Sequence, residues 1–120
     1  MIELNYIDSD DTKDIELAYQ LVNNSDINIL SDKEAFVVAK DNEMVVGALF
    51  VGNGSDHFSF DIVTHPDYKR QGIARLLSQA AMSEYDYRKD AYGNEYHLMI
   101  DVVNDMFVNF LVNEYDLNVY

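Results

Sequence analysis

Apolar residues along the chain follow two different spacings, which predict strands in some segments and helices in others. Alternating or short continuous apolar runs, rich in β-branched and aromatic residues, predict strands. These runs are residues 2–7, 34–40, 44–52, 57–64 and 96–103, with a last short strand at 116–120. The turn sequences "DNE" (41–43) and "NGS" (53–55) join the three central runs into a meander.

Helical spacing appears in three segments, residues 9–24, 72–85 and 104–115. In the first segment, one buried stripe is predicted to consist of Ile15, Ala18, Tyr19 and Val22. In the second, the predicted apolar face consists of Ile73, Leu76, Leu77, Ala80 and Ala81. In the third, the predicted inward residues are Met106, Phe107, Phe110 and Leu111. Residues 23–33 are predicted to be a loop and residues 86–95 a polar connection.

The predicted element order is β-α-β-β-β-α-β-α-β. Residues 57–103 form a strand, a helix and a strand, so these two strands should be parallel with a right-handed crossover. A hairpin joined to such a unit gives a mixed sheet with helices on both faces, which is an α/β fold class. The 120 residues are predicted to form one domain, 1–120.

Composition excludes several kinds of chemistry. The chain has no cysteine, which excludes disulfides, thiolate zinc sites and a cysteine nucleophile. Its three histidines are scattered without ligand spacing, so no metal site is predicted. No apolar run is long enough to span a membrane, and the N-terminus has no signal-peptide pattern. We therefore predict a cytoplasmic protein.

Charge is strongly biased and unevenly placed. Twenty-two acids face eight bases, for a formal net charge of −14. This balance argues against binding to nucleic acid or anionic lipid and favours a cationic substrate or partner, although solubility alone also explains it. Three of the eight bases, Lys69, Arg70 and Arg75, nevertheless lie within seven positions of one another.

The bases belong to the segment "HPDYKRQGIARLL" (65–77), just ahead of and inside the second predicted helix. A helix N-terminus offers unpaired N–H groups and the positive end of its dipole, which together bind phosphate. Gly72 removes a Cβ where backbone and ligand would approach, so the N–H groups of residues 71–74 could converge on a pyrophosphate. The alternative is a capped helix with a solvated basic turn.

The segment "VTHPDYKRQGIARLL" (63–77) resembles the acetyl-coenzyme A binding segment of the GCN5-related N-acetyltransferases (GNAT). The positions that match the family pattern are Pro66, Tyr68, Gly72 and Ala74. Lys69 stands where Arg or Gln is usual, and Thr64 where Val is usual. The resemblance extends to the element order over nearly the whole chain, with the C-terminal hairpin truncated. A homodimer could cover the sheet edge that this leaves.

The resemblance implies that the protein transfers an acetyl group from acetyl-coenzyme A to a primary amine by direct attack. The acceptor would be a small cationic amine or a protein lysine or N-terminal amine. The residues that it assigns to the pantetheine arm are Ile62, Val63 and Thr64, with a backbone N–H near Val63 or Thr64 as the oxyanion donor. Those that it assigns to the pyrophosphate are Lys69, Arg70, Gln71, Gly72, Ile73, Ala74 and Arg75. Asn104 matches an asparagine that the family carries after the next strand.

The residues that would move protons are less fixed by the pattern. Asp61 and His57 share a strand face with Ser59, and either is a candidate general base. The alternatives are that Asp61 caps a loop and that His57 is a surface residue. Tyr115 lies one helical turn beyond Leu111, where the family has a tyrosine that protonates the leaving thiolate; it could substitute or be a core residue.

Two other functions remain open from the sequence. One is a non-catalytic, acidic GNAT-like binding module that occupies a basic protein partner, which Leu111 and the short C-terminus favour. The other is transfer of a longer acyl group, because the sequence does not determine how large the acyl pocket is.

Overall fold

The structure, a computed structural model, describes residues 2–23, 33–52, 54, 56–69, 71–93 and 96–99. Its elements are β1 (Ile2–Tyr6), α1 (Thr12–Asn23), β2 (Lys33–Asp41), β3 (Met44–Gly52), β4 (His57–Thr64), a short 3-10 helix (Pro66–Tyr68), α2 (Ile73–Tyr92) and β5 (His97–Met99). The predicted order is confirmed as far as β5. The predicted helix at 104–115 and strand at 116–120 lie outside the described residues.

The five strands form one sheet in the order β1-β2-β3-β4-β5. The first three pairings are antiparallel, and β5 pairs with β4 in parallel, as α2 connects the two. The β2–β3 hairpin turns at Asn42, whose φ of 57° is left-handed. The predicted α/β mixed sheet with one parallel pair is therefore confirmed.

Within the described residues, one helix packs on each face of the sheet, and both faces can be apolar because the side chains of successive strand residues alternate between them. Against α2 lies a cluster that includes Val37, Leu49, Phe58, Phe60, Ile73 and Leu77. Against α1 lies a cluster that includes Ala18, Val38, Ala48, Phe50 and Val63. The predicted alternation along β4 is confirmed, since Phe58 and Phe60 face one helix and Val63 the other.

The predicted end of the second helix at residue 85 is wrong, because α2 continues to Tyr92. Arg88 pairs with Glu84 one turn earlier at 3.0 Å, and its side chain is only 16% exposed, so this polar part of the helix packs partly against the fold. The helix ends at Gly93, whose φ of 98° suits glycine and whose N–H donates to the Lys89 carbonyl. Leu76, predicted to face inward, is 37% exposed.

The predicted stripe of α1 is confirmed for Ala18 and Val22, which are buried, and is wrong for Tyr19. Tyr19 is exposed and meets Phe50 only edge-on, at 5.3 Å between ring centroids, whereas Asp14 and Leu21 are buried. Asp14 can be buried because its carboxylate accepts from Asn5 Nδ2 at 2.8 Å and pairs with Lys40 Nζ at 3.2 Å. Of the two helices in the described part of the chain, neither is long and apolar enough to cross a membrane.

Candidate functional site

The chain between the end of β4 and the start of α2 is held by its own hydrogen bonds. The His65 N–H donates to the Val46 carbonyl at 2.8 Å, which ties this segment to β3. The His65 Nδ1 accepts from the Asp67 N–H at 3.1 Å, and the His65 carbonyl accepts from the Tyr68 N–H at 2.9 Å. His65 therefore caps the short 3-10 helix, and the single proline, Pro66, begins it.

Helix α2 starts at an exposed glycine. Gly72 has φ of 79° and ψ of 8°, a left-handed conformation, and no side chain caps the helix there. A Cβ built on Gly72 would meet no atom within 4 Å. The first turn contains no acidic residue, and its N–H groups have no partner inside the helix. The helix start is therefore an open, electropositive backbone surface that can accept an anion.

This helix start lies directly on the end of the sheet. Gly47 on β3 is opposite Thr64 on β4, and a Cβ at Gly47 would be 2.6 Å from Ile73 Cγ2 and 3.1 Å from Leu77 Cδ1. Because Gly47 has no side chain, the first turn of α2 packs against the backbone of β3 beside Thr64. Ile73 is 1% exposed in this contact.

The direction of the β4 backbone groups follows from one hydrogen bond and the register. The His65 N–H pairs with Val46, and the β3–β4 register runs without a shift from Gly47↔Thr64 to Val51↔Phe60. Alternation along an antiparallel ladder then directs the backbone of Val63 toward β3 and that of Ile62 and Thr64 toward the β5 side. Within the described residues, β5 pairs with β4 over His57–Ser59.

Tyr68 joins the segment before the helix to the β2–β3 hairpin. Its hydroxyl donates to Asp41 Oδ2 at 2.9 Å, and this hydrogen bond to a carboxylate raises the pKa of Tyr68. The His65 ring packs edge-on against the Tyr68 ring at 5.7 Å. The sequence places Tyr68 in its motif, but no local signal points to Asp41, which is 27 positions earlier.

The two candidate bases each have an ionisable neighbour that the sequence analysis did not find. Asp61 Oδ2 lies 3.0 Å from Lys33 Nζ, and the Lys33 side chain is only 2% exposed. His57 Nδ1 lies 2.7 Å from Asp56 Oδ1. Lys33, expected at the end of a loop, is the first residue of β2, opposite Gly52. The strand rise places His57 about 13 Å along β4 from Asp61.

The structure brings the predicted backbone residues together and places the predicted cations at the surface. Residues 62–64 end beside the first turn of α2, which begins at Ile73. Lys69, Gln71 and Arg75 are exposed, and Ala74 is half-buried. Arg70, Asn104 and Tyr115 lie outside the described residues.

Comparison with solved structures finds acetyltransferases of the same fold. An acetyltransferase from Trypanosoma brucei is 14% identical, with a TM-score of 0.67 over 100% of this chain and 94% of that one. The ribosomal-protein-S18-alanine N-acetyltransferase of Escherichia coli is 14% identical, with a TM-score of 0.66 over 96% and 77% of the two chains. Glucosamine-6-phosphate N-acetyltransferase of Arabidopsis thaliana is 9% identical, with a TM-score of 0.66 over 100% and 93%.

At these identities the structural likeness concerns the fold alone. A search of curated protein sequences finds no match. A family model described as an acetyltransferase (GNAT) domain, however, matches residues 32–109, well over half of the chain. The matched region runs from the start of β2 through the β4–α2 segment and β5. The chain therefore belongs to the GNAT acetyltransferase family.

Proposed function

We propose that this protein is an N-acetyltransferase that uses acetyl-coenzyme A and acetylates a primary amine. The observation that carries the proposal is the exposed, uncapped start of α2 at Gly72, beside the end of β4. A pyrophosphate needs several N–H donors and positive potential at one place, and a helix N-terminus supplies both.

The residues around this point fit the coenzyme. The free space at Gly72, where a Cβ would meet nothing within 4 Å, lets a phosphate approach the backbone. Lys69 and Arg75 are exposed on either side and add positive charge to a protein of net charge −14, with Arg70 a further candidate from the sequence. The backbones of Ile62 and Thr64, directed away from β3, are suited to pair with the pantetheine arm.

The chain's own contribution to the reaction is alignment, one hydrogen bond and proton transfer. When bound, acetyl-coenzyme A supplies the thioester carbonyl that the amine attacks. A nitrogen–carbon bond forms, the carbon–sulfur bond breaks, and the thiolate takes up a proton. The Thr64 N–H is better suited than that of Val63 to donate to the developing oxyanion, because the Val63 backbone is directed at β3. The family resemblance makes Asn104 a candidate cofactor-binding residue and Tyr115 a candidate to protonate the thiolate.

An attacking amine must lose its proton, and Asp61 is the better placed candidate to take it. Asp61 is three residues from Thr64, about 10 Å along the strand, whereas His57 is seven residues away, about 23 Å. Lys33 holds the Asp61 carboxylate in one position at 3.0 Å. A carboxylate held there can accept a proton directly or through water.

The acceptor is proposed to be an amine on a cationic molecule. Two of the structures with the same fold are named as N-acetyltransferases, one for a ribosomal-protein alanine and one for an amino sugar phosphate. The acidic charge of this chain would attract a polyamine, an aminoglycoside or a lysine-rich peptide. Nothing among the described residues favours the non-catalytic alternative.

Coenzyme A titration by calorimetry tests the proposal, with two matched variants. Gly72→Glu places a carboxylate where the pyrophosphate would lie, and like charges in contact should lower affinity by about 100-fold. Gly93→Glu is the control, because Gly93 also has a positive φ, 98°, and stands at the other end of the same helix. A Cβ built on Gly93 would likewise meet no atom within 4 Å. Both variants add the same charge at a glycine of positive φ, and the backbone strain is larger at Gly93, whose ψ is 180°, than at Gly72, whose ψ is 8°.

Equal binding by wild type and Gly72→Glu, or equal weakening by both variants, would refute the assignment of the pyrophosphate to this site. No binding by the wild type at millimolar coenzyme A would refute the enzyme proposal. Thiol release from acetyl-coenzyme A is then measured with a panel of amines. Tight binding without turnover across that panel would favour the non-catalytic module.

A further inference from the structure

We propose that the Tyr68–Asp41 hydrogen bond is a positioning contact that holds the proposed pyrophosphate-binding backbone of Lys69, Gln71 and Gly72 in place. This inference rests on the proposed function, since it concerns the same site. It adds to that site a residue, Asp41, from a different part of the chain. Tyr68 and Asp41 are positioning residues, because their argued effect on the coenzyme acts through the backbone between Tyr68 and Ile73.

Three contacts join the described residues 65–69 and 71–73 to the β2–β3 hairpin. At the start of this segment, the His65 N–H donates to the Val46 carbonyl. At its end, Ile73 packs over Gly47. Between them, the Tyr68 hydroxyl donates to Asp41 Oδ2 at 2.9 Å. The β2–β3 hairpin therefore positions the start of α2.

The Tyr68 contact comes immediately before the exposed part of the loop. Lys69 is extended, with φ of −64° and ψ of 149°, and Lys69, Gln71 and Gly72 are all exposed. These residues cross the gap between Tyr68 and the buried Ile73. Loss of the hydroxyl contact would leave Tyr68 held only by the packing of its ring against the core cluster and His65, which widens the range of positions open to the N–H groups that follow it.

The anchor itself is rigid. Asp41 is the last residue of β2 and has strand partners on both sides, Ile2 on β1 and Met44 on β3. The acceptor is a carboxylate, so the hydrogen bond is charge-assisted and stronger than one between neutral groups. The edge-on His65 ring at 5.7 Å also restricts the Tyr68 ring. A loop that is ordered before binding costs less to order on binding, and affinity rises accordingly.

The test compares Tyr68→Phe with Tyr87→Phe, which removes the same atom from an exposed tyrosine on α2. KM and kcat are measured with acetyl-coenzyme A and with S-acetylpantetheine, which lacks the pyrophosphate. We expect Tyr68→Phe to raise KM for acetyl-coenzyme A by about 3- to 10-fold. The kcat of Tyr68→Phe, and its KM for S-acetylpantetheine, should stay near the wild-type values. Tyr87→Phe should leave kcat and KM unchanged with both donors.

Asp41 variants complete the test. Asp41→Asn keeps an oxygen that can accept from Tyr68 and should lose less affinity than Asp41→Ala. The double variant Tyr68→Phe/Asp41→Ala should be no worse than Asp41→Ala alone, because both changes remove one contact. An unchanged KM for acetyl-coenzyme A in Tyr68→Phe, equal changes for both donors, or additive effects in the double variant would overturn the inference.

These outcomes separate the inference from the proposed function. If the wild type uses acetyl-coenzyme A and Tyr68→Phe matches it, only the positioning role fails. If the wild type neither binds coenzyme A nor releases thiol from its thioester, the proposed function fails, and the positioning role falls with it.

Discussion

Replacing Gly47 by alanine should destabilise the protein, although the same change in most strands would help. A Cβ at Gly47 would lie 2.6 Å from Ile73 Cγ2, 3.1 Å from Leu77 Cδ1 and 3.4 Å from the Val63 carbonyl oxygen. Carbon atoms in contact prefer about 3.5–4.0 Å, so the Ile73 contact is short by about 1 Å. Ile73 and Leu77 are fully buried, and Cγ2 is attached directly to the Ile73 Cβ, so a rotation of the end of the side chain does not move it away.

Two opposing contributions to the free energy of unfolding decide whether Gly47→Ala stabilises or destabilises the protein. Alanine restricts the unfolded chain more than glycine does, which stabilises the folded state by about 0.4–1 kcal/mol. Overpacking of a well-packed core costs about 1–3 kcal/mol. The overlap should therefore outweigh the entropy gain, with a net loss of up to about 2.5 kcal/mol. For a domain of this size, that corresponds to a fall in Tm of several degrees.

The assay is urea unfolding of Gly47→Ala, with Gly47→Ala/Ile73→Leu as the rescue and Ile73→Leu as the control. Leucine has nearly the same volume as isoleucine but no Cγ2, so it removes the atom in closest contact. The double variant should recover most of the lost stability. Coenzyme A affinity should fall in Gly47→Ala and recover in the double variant, because the overlap displaces the first turn of α2. A Gly47→Ala protein at least as stable as wild type would refute the close approach.

Two further predictions concern ionisable groups. The hydrogen bond to Asp41 raises the pKa of Tyr68 and burial raises that of Tyr96, so the folded protein holds these protons more tightly than the unfolded chain, where tyrosine titrates near pH 10. The stability that these two groups contribute is therefore complete below about pH 10 and is lost as the pH rises above it. The urea midpoint of unfolding should fall between about pH 9 and about pH 11, and it should fall less steeply in Tyr68→Phe. A midpoint that rises over this range would contradict the prediction. If Asp61 is the base, Asp61→Asn should lower kcat/KM by about 10²- to 10⁴-fold, as measured across pH with His57→Gln as the comparison. A larger loss in His57→Gln would transfer that role to His57.

Local periodicity determined most of the fold. The short apolar runs within residues 34–52, the alternation in residues 57–64 and the helical spacing in residues 9–24 and 72–85 predicted the element order through β5 and a helix on each face. Such patterns are informative because burial of one face repeats every two or about 3.6 residues. The sequence also placed Gly72 at the start of α2, because a glycine before an apolar repeat marks a helix boundary.

Helix α2 shows where local patterns stopped being sufficient. Its last two turns are polar and lack an apolar stripe, so the sequence predicted a connection from residue 86 onward. In the structure, Arg88 makes the difference: its guanidinium lies over the Phe58 ring at 5.1 Å and donates to the Gly52 carbonyl at 2.7 Å. These partners are 30 and 36 residues away, and periodicity within one segment carries no information about them.

The sequence by itself therefore determined the order of the elements, the two-faced sheet and the glycine where the proposed phosphate-binding helix begins. Only the tertiary structure decided which residues hold that helix start and the candidate base. Asp41 accepts a hydrogen bond from Tyr68, Gly47 lets Ile73 pack against the β3 backbone, and Lys33 pairs with Asp61. Each of these pairs joins the β2–β3 hairpin to a segment at least 26 positions further along the chain. Such pairs depend on strand register and sheet order, which are set by the packing of the whole domain rather than by neighbouring residues.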